Sequence, residues 1–121
     1  MASYLYLDLL VNGAAVHRFE LQVGRQKVGR SAECPVRLLD TTVSSVHALL
    51  TVIENPLHPH FLDVLLTDMN STNGTWKDGQ RIAQVRLMLG DTFRCGDAEL
   101  MLNGADGAMT TQTEFAVRPG E

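Results

Sequence analysis

The sequence is poor in aromatic residues, in cysteine and in long apolar runs. Aromatic side chains make up 6% of its 121 residues, so aliphatic side chains must fill most of a core. The two cysteines, Cys34 and Cys95, belong to neither a Cys-x-x-Cys nor a Cys/His ligand pattern, which argues against a metal site. The alternatives are a disulfide pair and two buried thiols; in a chain without a secretion signal we expect both thiols to be reduced and buried. No stretch approaches the length of a membrane span.

Basic residues are also few and scattered. The chain has 10 Lys and Arg residues against 14 Asp and Glu residues, a formal net charge of -4, without a basic cluster. Nucleic acid and anionic membranes are therefore excluded as main partners, although a single basic pocket remains possible. The apolar N-terminal stretch MASYLYLDLLV is interrupted by Asp8 and is not preceded by basic residues. This pattern predicts that it is not a signal peptide and that the chain is cytoplasmic.

Hydrophobic residues recur with a period of two, which is typical of β-strands. The alternation is found in four runs, at residues 5–11, 19–23, 62–66 and 85–89. Turn dipeptides such as Asn12-Gly13 and Asp78-Gly79 separate the runs, and no segment has a sustained helical period. Many short strands with frequent turns predict an all-β fold, a sandwich of two antiparallel sheets.

The length fits one domain, but the composition changes after Asn103. The remaining stretch, GADGAMTTQTEFAVRPGE, contains many small residues and little aliphatic bulk. We therefore predict a domain at residues 1–103 and a flexible C-terminal tail or linker at residues 104–121. As an alternative, residues 115–117 (FAV) would dock back as a last edge strand.

Three polar clusters interrupt the strand pattern: KVGRSAEC, TTVSSVHALL and TDMNSTNGTWKDGQ. Loops at one end of a sandwich converge, so these clusters can share one site. Arg30 carries a planar fork of donors that suits phosphate or carboxylate oxygens. Ser44, Ser45 and Thr72 offer hydroxyls, and Asn73 offers both a donor and an acceptor. Without a general base or a set of metal ligands among them, these residues predict an anion-binding site rather than a catalytic centre.

Three further features are interpreted as structural. Ser44 and His47 lie three apart, but neither a nucleophile elbow nor an orienting carboxylate accompanies them, so a small hydrolase is disfavoured. His58 and His60 flank a proline ahead of Asp63; without further ligands they are interpreted as loop residues rather than a metal site. Trp76 is interpreted as packing at a hairpin.

The motifs VGRS, SSVH and NSTNGT, followed by LGDTFRCG, contain Gly-Arg, Ser-x-x-His and Asn-Gly in that order. Each motif alone is weak, whereas the ordered set is specific. In this order and at these separations the sequence resembles a forkhead-associated (FHA) domain over about residues 27–102, most of the chain. The resemblance implies a SMAD/FHA-like sandwich of two antiparallel sheets whose apical loops bind phosphothreonine peptides, a form of Arg-based phosphate recognition.

The resemblance also implies roles for single residues. Arg30 matches the family's phosphate-binding arginine, Ser44 the hydroxyl that binds a phosphate oxygen, and His47 the histidine that supports the binding loop. The implied phosphopeptide-binding residues are Arg30, Ser44, Ser45, Thr72 and Asn73, and those that support the site are Gly29, His47 and Gly74. Ser45 departs from the pattern because many relatives have Arg or Asn there. We therefore expect weaker phosphate binding than at a site with two arginines, or compensation from Lys27.

By this resemblance the chain is a phosphothreonine-peptide-binding module in Ser/Thr-kinase signalling or scaffolding, and not an enzyme; no cofactor or metal is implied. The implied partners are a phosphothreonine-containing protein and a Ser/Thr kinase or its substrate. Thr110, Thr111 and Thr113 in the tail add the hypothesis that the chain binds its own phosphorylated tail. The alternative is a structural FHA-like docking module of a larger assembly, such as secretion machinery, that does not require phosphate.

Overall fold

The chain folds into β-strands joined by turns and short loops. The computed structural model describes residues 5–57, 61–104 and 109–110. Within these ranges there is no helix, and so none that would cross a membrane. The strands are β1 (Leu5–Val11), β2 (Ala14–Leu21), β3 (Gly24–Gly29), β4 (Val36–Arg37), β5 (Ala48–Glu54), β6 (Phe61–Asp68), β7 (Thr75–Lys77), β8 (Gln80–Arg81), β9 (Gln84–Leu87), β10 (Thr92–Cys95), β11 (Ala98–Gly104) and β12 (Met109–Thr110).

The strands form two sheets, packed as a sandwich. The first sheet has the order β2-β1-β11-β10-β7-β8, and the second has the order β12-β6-β5-β3-β4, with β9 also paired to β6. Paired strands run antiparallel except in β3/β4 and β6/β12, which are parallel. The predicted all-β sandwich of antiparallel sheets is therefore confirmed. The two parallel pairs are short additions at its edges.

The core between the sheets is aliphatic because alternate residues of each strand point inward. In β1 these are Leu5 and Leu7, and in β11 they are Leu100 and Leu102, all of them buried. Phe93 is the single aromatic member of the buried cluster within the described ranges. Replacing one of these leucines by alanine typically costs about 2–5 kcal/mol. Both cysteines are free and buried, as predicted.

Two turn dipeptides close hairpins, and a third does not. Both residues of Asn12-Gly13 and of Asp78-Gly79 have positive φ, the type I′ pattern that here joins β1 to β2 and β7 to β8. Asn73-Gly74 lies between β6 and β7, which belong to different sheets. The polar loop before β7 is therefore a crossing between the sheets and not a hairpin turn.

The C-terminal part of the chain contains one further described strand. Strand β11 ends at Gly104, and β12 pairs in parallel with the first residues of β6, although β12 lies in the segment predicted as a tail. Outside the described residues lie Thr111, Thr113, residues 115–117, His58 and His60. The domain boundary after residue 103 therefore stays a prediction.

Candidate functional site

Four connections meet at one end of the sandwich, which we call the apex. Hydrogen bonds link them directly. The Arg30 backbone N–H donates to the Ser44 carbonyl oxygen at 3.0 Å, and the Gly96 N–H donates to the Gly74 carbonyl oxygen at 3.0 Å. Polar clusters that are far apart in sequence thus lie side by side. The connections are β3–β4 at residues 30–35, β4–β5 at 38–47, β6–β7 at 69–74 and β10–β11 at 96–97.

Arg30 directly follows β3, and the neighbouring loop fixes its side chain. Its Nε donates to the carbonyl oxygen of Val43 at 2.9 Å, and the residue is exposed. No other acceptor for the guanidinium is found among the described residues, so the N–H groups of both Nη atoms are available to an oxyanion. The side chain is therefore held in one pose with most of its donors open, which suits phosphate oxygens.

Gly29 is required by a close backbone approach. A Cβ at this position would lie 2.3 Å from the carbonyl oxygen of Ser45. The same oxygen accepts the Ser31 N–H at 3.0 Å, so the end of β3 and the β4–β5 loop are in direct contact. Any side chain at position 29 would push these segments apart. Ser45 contributes its backbone here, while the residue itself is exposed.

His47 is fully buried and joins two of the loops. Its Nδ1 accepts the Ser44 backbone N–H at 3.0 Å, and its Nε2 lies 2.8 Å from the Gly74 carbonyl oxygen. Because Nδ1 accepts a hydrogen bond, Nε2 carries the hydrogen and donates it to Gly74. The ring is therefore a neutral bridge between the loop that carries Ser44 and the loop that carries Asn73.

Two more hydrogen bonds connect the same loops closer to the surface. The Ser44 Oγ accepts the Thr72 backbone N–H at 3.0 Å, which leaves the Ser44 hydroxyl hydrogen to point elsewhere. The Asn73 Nδ2 donates to the Thr42 carbonyl oxygen at 2.8 Å. A carboxamide has a second N–H and an acceptor oxygen, and Asn73 is exposed. Each of these side chains thus has one fixed contact. The Ser44 hydroxyl hydrogen and the second N–H and the oxygen of Asn73 remain open to a ligand.

The β6–β7 loop is organised from within by the carboxylate of Asp68. It accepts hydrogen bonds from Ser71 Oγ at 2.6 Å and from Thr75 Oγ1 at 2.7 Å. The Ser71 oxygen in turn accepts the Gly74 N–H at 3.0 Å. Burial by itself would raise the pKa of Asp68, but hydrogen bonds from Ser71 and Thr75 outweigh it, and the net pKa is lowered. The loop is therefore built around a charged carboxylate.

Gly74 completes this loop where no other residue fits. Its φ is +90°, and a Cβ there would lie 2.8 Å from both Arg81 Nε and Trp76 Nε1. The Trp76 Nε1 donates to the Asn73 carbonyl oxygen at 2.9 Å, and the Arg81 Nη2 donates to the Ser71 carbonyl oxygen at 3.1 Å. The β7–β8 hairpin thus supports the loop from its side, and Trp76 packs at that hairpin as interpreted from the sequence.

The structure places the predicted site residues at one location. Arg30, Ser44, Thr72 and Asn73 lie within one hydrogen-bonded set at the apex, with Ser45 at its exposed edge. Lys27 lies apart on β3, where it forms an ion pair with Glu33 at 3.7 Å. Sequence alone suggested that Lys27 compensates for the missing second arginine, and this ion pair gives that idea no support.

The geometry disfavours catalysis by the serine and histidine. Both ring nitrogens of His47 are bonded to backbone groups, those of Ser44 and Gly74, so neither is placed to take a proton from the Ser44 hydroxyl. Within the described residues there is also no group of His, Cys, Asp and Glu that would hold a metal ion. What the apex can do is bind an anion through hydrogen bonds.

Two residues with roles at the apex were missed from the sequence. Arg37 is exposed, and its Nε donates to the Arg30 carbonyl oxygen at 3.1 Å, which ties a second guanidinium to the backbone of Arg30. Arg37 lies there because β3 and β4 pair in parallel, which sets Gly29 opposite Arg37. No sequence motif indicates this pairing. Thr42 holds Asn73 and also accepts the Asp97 N–H at 2.8 Å. Thr42 lies in the polar cluster TTVSSVHALL, two residues before Ser44 of the SSVH motif. This proximity was the one signal in the sequence that indicated a role at the site.

A sandwich that presents a fixed guanidinium, hydroxyls and a carboxamide at its apex, with its histidine tied to the backbone, belongs to the class of ligand-binding modules. The FHA domain model matches residues 26–96, more than half of the chain. The chain therefore belongs to the FHA domain family, as the motifs indicated. FHA domains are in general interaction modules rather than enzymes.

Similar proteins include the FHA domain-containing protein FhaA of Mycobacterium tuberculosis. It is 28% identical over 96 residues, which is 79% of this chain and 17% of FhaA. The solved FHA domain of FhaA, complexed with the intracellular domain of Rv3910, has a TM-score of 0.69 and 29% identity, covering 82% of this chain and 99% of that domain.

Two further solved structures cover 85% of this chain. One comes from a study of phosphothreonine-dependent FHA domain interactions, with a TM-score of 0.69, 28% identity and 98% of its own chain covered. The other is the FHA domain of CT664 from Chlamydia trachomatis, with a TM-score of 0.71, 25% identity and 99% of its own chain covered.

Proposed function

We propose that the chain binds phosphothreonine peptides at its apex and acts in Ser/Thr-kinase signalling or scaffolding in the cytoplasm. The observation that carries the proposal is the pose of Arg30, fixed by the Val43 carbonyl oxygen at 2.9 Å beside Ser44. A phosphothreonine brings about −1.5 to −2 charges at pH 7 and three strong acceptor oxygens. A guanidinium with open N–H groups next to a free hydroxyl hydrogen is a suitable replacement for its hydration shell.

Each apical side chain has a distinct task in this proposal. Arg30 and the Ser44 hydroxyl bind phosphate oxygens. Asn73, held by Thr42 through one N–H, uses its remaining donor and acceptor on the backbone of the ligand. Thr72 contacts the phosphothreonine, and Ser45 adds a hydroxyl at the edge. Because the loops are tied together before the ligand arrives, little ordering is needed on binding.

Two of the similar FHA domains support this proposal by what is described for them. One, 28% identical, belongs to work on phosphothreonine-dependent interactions, and the FhaA domain was solved in complex with an intracellular protein domain. By analogy, the partners of this chain are a phosphothreonine-containing protein and a Ser/Thr kinase or its substrate.

The test is a titration of a phosphothreonine peptide library, with unphosphorylated peptides as controls, on the wild-type chain and two variants. Arg30→Ala removes the proposed phosphate ligand. Arg25→Ala removes another exposed arginine, which lies on β3 opposite Thr51 and away from the apex. A charge-assisted hydrogen bond contributes about 1.5–3 kcal/mol. Arg30→Ala is therefore expected to weaken binding by about ten-fold or more, and Arg25→Ala by less than about two-fold.

Circular dichroism of both variants shows whether the fold is intact, so that lost binding is assigned to the missing contact. The proposal is wrong if no phosphothreonine peptide binds, if phosphorylation makes no difference, or if both arginine variants weaken binding equally. The last result would point to a general charge effect in place of a built site.

One observation favours the alternative function, a docking module that does not require phosphate. On the outer face of the second sheet, Leu49, Leu65 and the 46% exposed Ile53 form an aliphatic stripe. Arg25 and Arg86 flank it in the same register row as Leu65. Such a face suits a partner with acidic and apolar side chains. A purified partner that binds without phosphate, tolerates Arg30→Ala and is lost on Leu65→Glu would establish this function instead.

A further inference from the structure

A concave surface adjoins the apex next to Thr42. It is a cleft of about 500 Å³ between the β1–β2 turn, the start of the β4–β5 loop and the β10–β11 turn. The residues that give it chemical character are two aliphatic side chains, Val11 and Leu39, and three carboxylates, Asp40, Asp97 and Glu99. None of these residues was singled out as part of a site from the sequence.

The cleft is apolar and open. Leu39 is 78% exposed and Val11 is 52% exposed, and the partly buried Leu9 and Leu10 continue the same lining. Single exposed aliphatic residues are ordinary on protein surfaces. Here, however, they share one concave surface, where a ligand side chain would be covered on several sides at once.

The rim of the cleft is acidic. Asp97 and Glu99 are exposed, and Asp40 stands at the start of the β4–β5 loop. Arg94 forms an ion pair with this rim: its Nη1 lies 4.0 Å from Asp97, and its strand position is opposite Glu99. Arg94 also lies over the Trp76 ring, at 5.4 Å. The three carboxylates outnumber Arg94, so the rim is net negative, whereas the exposed guanidinium of Arg30 is positive.

Thr42 connects the two sides. Its carbonyl oxygen accepts the Asn73 Nδ2 at 2.8 Å, its Oγ1 donates to Asp40 at 2.6 Å, and the same Oγ1 accepts the Asp97 N–H at 2.8 Å. Thr42 therefore joins the exposed Asn73 amide to two acidic residues of the cleft. The apical surface is continuous, with a cationic end and an anionic, partly apolar end.

We propose that the cleft is a second subsite for the same ligand and accepts a peptide segment with an aliphatic side chain beside a lysine or arginine. This rests on the proposed function. The recognised element is then dipolar: the phosphothreonine faces Arg30, and a basic residue further along the peptide faces Asp97 and Glu99. A peptide with acidic residues in that segment is rejected, because like charges would meet at the rim.

The test uses phosphothreonine peptides in which each position on both sides of the phosphothreonine is set in turn to Lys, Asp, Leu or Ala. Affinities are measured by fluorescence anisotropy. We expect at least one position where Lys binds five-fold or more tightly than Asp, and a neighbouring position where Leu binds more tightly than Ala. The effect of a rim charge is screened by salt, so the Lys preference narrows as the salt concentration rises while the Leu preference does not.

Variants assign the preference to the cleft. The double variant Asp97→Asn with Glu99→Gln removes two exposed rim charges. It keeps the hydrogen bond from the backbone N–H of residue 97 to Thr42 Oγ1. The matched control is Glu20→Gln with Glu54→Gln, two exposed carboxylates near the opposite ends of their strands from the apex. The rim variant should reduce the Lys over Asp preference to less than two-fold, and the control should leave it intact. Leu39→Ser should remove the Leu preference alone.

The outcomes separate the two proposals. If phosphothreonine peptides bind but Lys and Asp are equal at every position, the proposed function stands and the subsite is wrong. The subsite is also wrong if the rim and control variants have equal effects. If no phosphothreonine peptide binds, the proposed function itself fails and the subsite fails with it.

Discussion

The side-chain amide of Asn73 donates a 2.8 Å hydrogen bond to the carbonyl oxygen of Thr42, across 31 residues of sequence. This bond ties the crossing between the sheets to the β4–β5 loop at the surface, while His47 ties the same loops together below, in the buried interior. Asn73 is therefore both a structural tie and an exposed donor and acceptor. Its substitution tests the two roles together.

Asn73→Asp is expected to weaken phosphopeptide binding by about ten-fold or more, with little change in global stability. The substitution keeps the shape but removes the N–H that Thr42 accepts, and it sets a negative charge against a ligand that itself carries a phosphate dianion. Loss of a hydrogen bond together with like-charge repulsion readily exceeds about 1.4 kcal/mol, the equivalent of ten-fold in affinity. Binding is measured by calorimetry and stability by urea unfolding.

Asn70→Asp is the matched control, because it adds the same charge to the same loop. Asn70 is exposed and has φ of 58°, a conformation that aspartate tolerates as well as asparagine does. We expect less than about three-fold weaker binding from it, in keeping with a screened surface charge. Equal losses for the two variants would mean that the tie to Thr42 is irrelevant to binding.

Arg37→Ala tests whether a second guanidinium contributes to phosphate binding. Arg37 is exposed, and its Nε is held by the Arg30 carbonyl oxygen at 3.1 Å, so its contribution is that of a screened charge. Exposed ion pairs contribute about 0.2–1 kcal/mol, and we expect affinity to fall by roughly 1.4- to five-fold. The effect should diminish at high salt, unlike that of Arg30→Ala. An unchanged affinity at low salt would show that Arg37 does not act on the ligand.

His47→Ala is expected to destabilise the fold, since it leaves the Ser44 N–H and the Gly74 carbonyl oxygen without their buried partner. An unsatisfied buried polar group costs about 1–3 kcal/mol, so with two such groups the free energy of unfolding should fall by roughly 2–6 kcal/mol. His17→Ala is the control, because His17 is exposed and its ring contacts Phe19 edge-on at 4.6 Å. We expect it to change stability by less than about 1 kcal/mol. Comparable losses in the two variants would contradict a structural role for the His47 bridge.

Much of the fold was predictable from sequence because each strand carries its own periodic signal. Leu5 and Leu7 point inward as their spacing predicts, and Asp78-Gly79 closes the predicted hairpin. Pairing partners carry no such local signal. The parallel pair β3/β4 joins two residues of a two-residue strand, too short for any period, and so the position of Arg37 beside Arg30 was missed.

The site was predictable only in part, for a related reason. The chemical groups of Arg30, Ser44 and Asn73 are evident from their residue types, but their anchors are backbone groups. Arg30 and Asn73 donate to the carbonyl oxygens of Val43 and Thr42, and Ser44 accepts the Thr72 N–H. Every residue has a carbonyl oxygen, so nothing in the sequence shows which one accepts. The cleft by Leu39 was missed because its walls come from three separate connections, none of which looks unusual alone.

The acid stability of the apex should depend on Asp68. Burial opposes the charge of this carboxylate, but hydrogen bonds from Ser71 and Thr75 outweigh burial and lower its pKa. A group whose pKa is depressed by folding contributes stability above its unfolded-state pKa, about 3.9 for aspartate, and loses that contribution as the pH falls through the folded-state value. Asp68→Asn should therefore unfold more easily than wild type at pH 7. The difference should be constant down to about pH 5 and shrink below about pH 4.

The measurement is urea unfolding from pH 7 to pH 3, with Asp97→Asn as the control. Asp97 is exposed, and its substitution should leave the profile close to that of wild type. A difference between wild type and Asp68→Asn that persists unchanged to pH 3 would mean that the loop depends on the shape of residue 68 and not on its charge. If the charge matters, phosphopeptide binding at pH 7 should also weaken in Asp68→Asn. Asparagine keeps one oxygen for the Ser71 and Thr75 hydroxyls, but it is uncharged, and its NH₂ group replaces the Oδ2 that accepts the Ser71 backbone N–H at 3.2 Å.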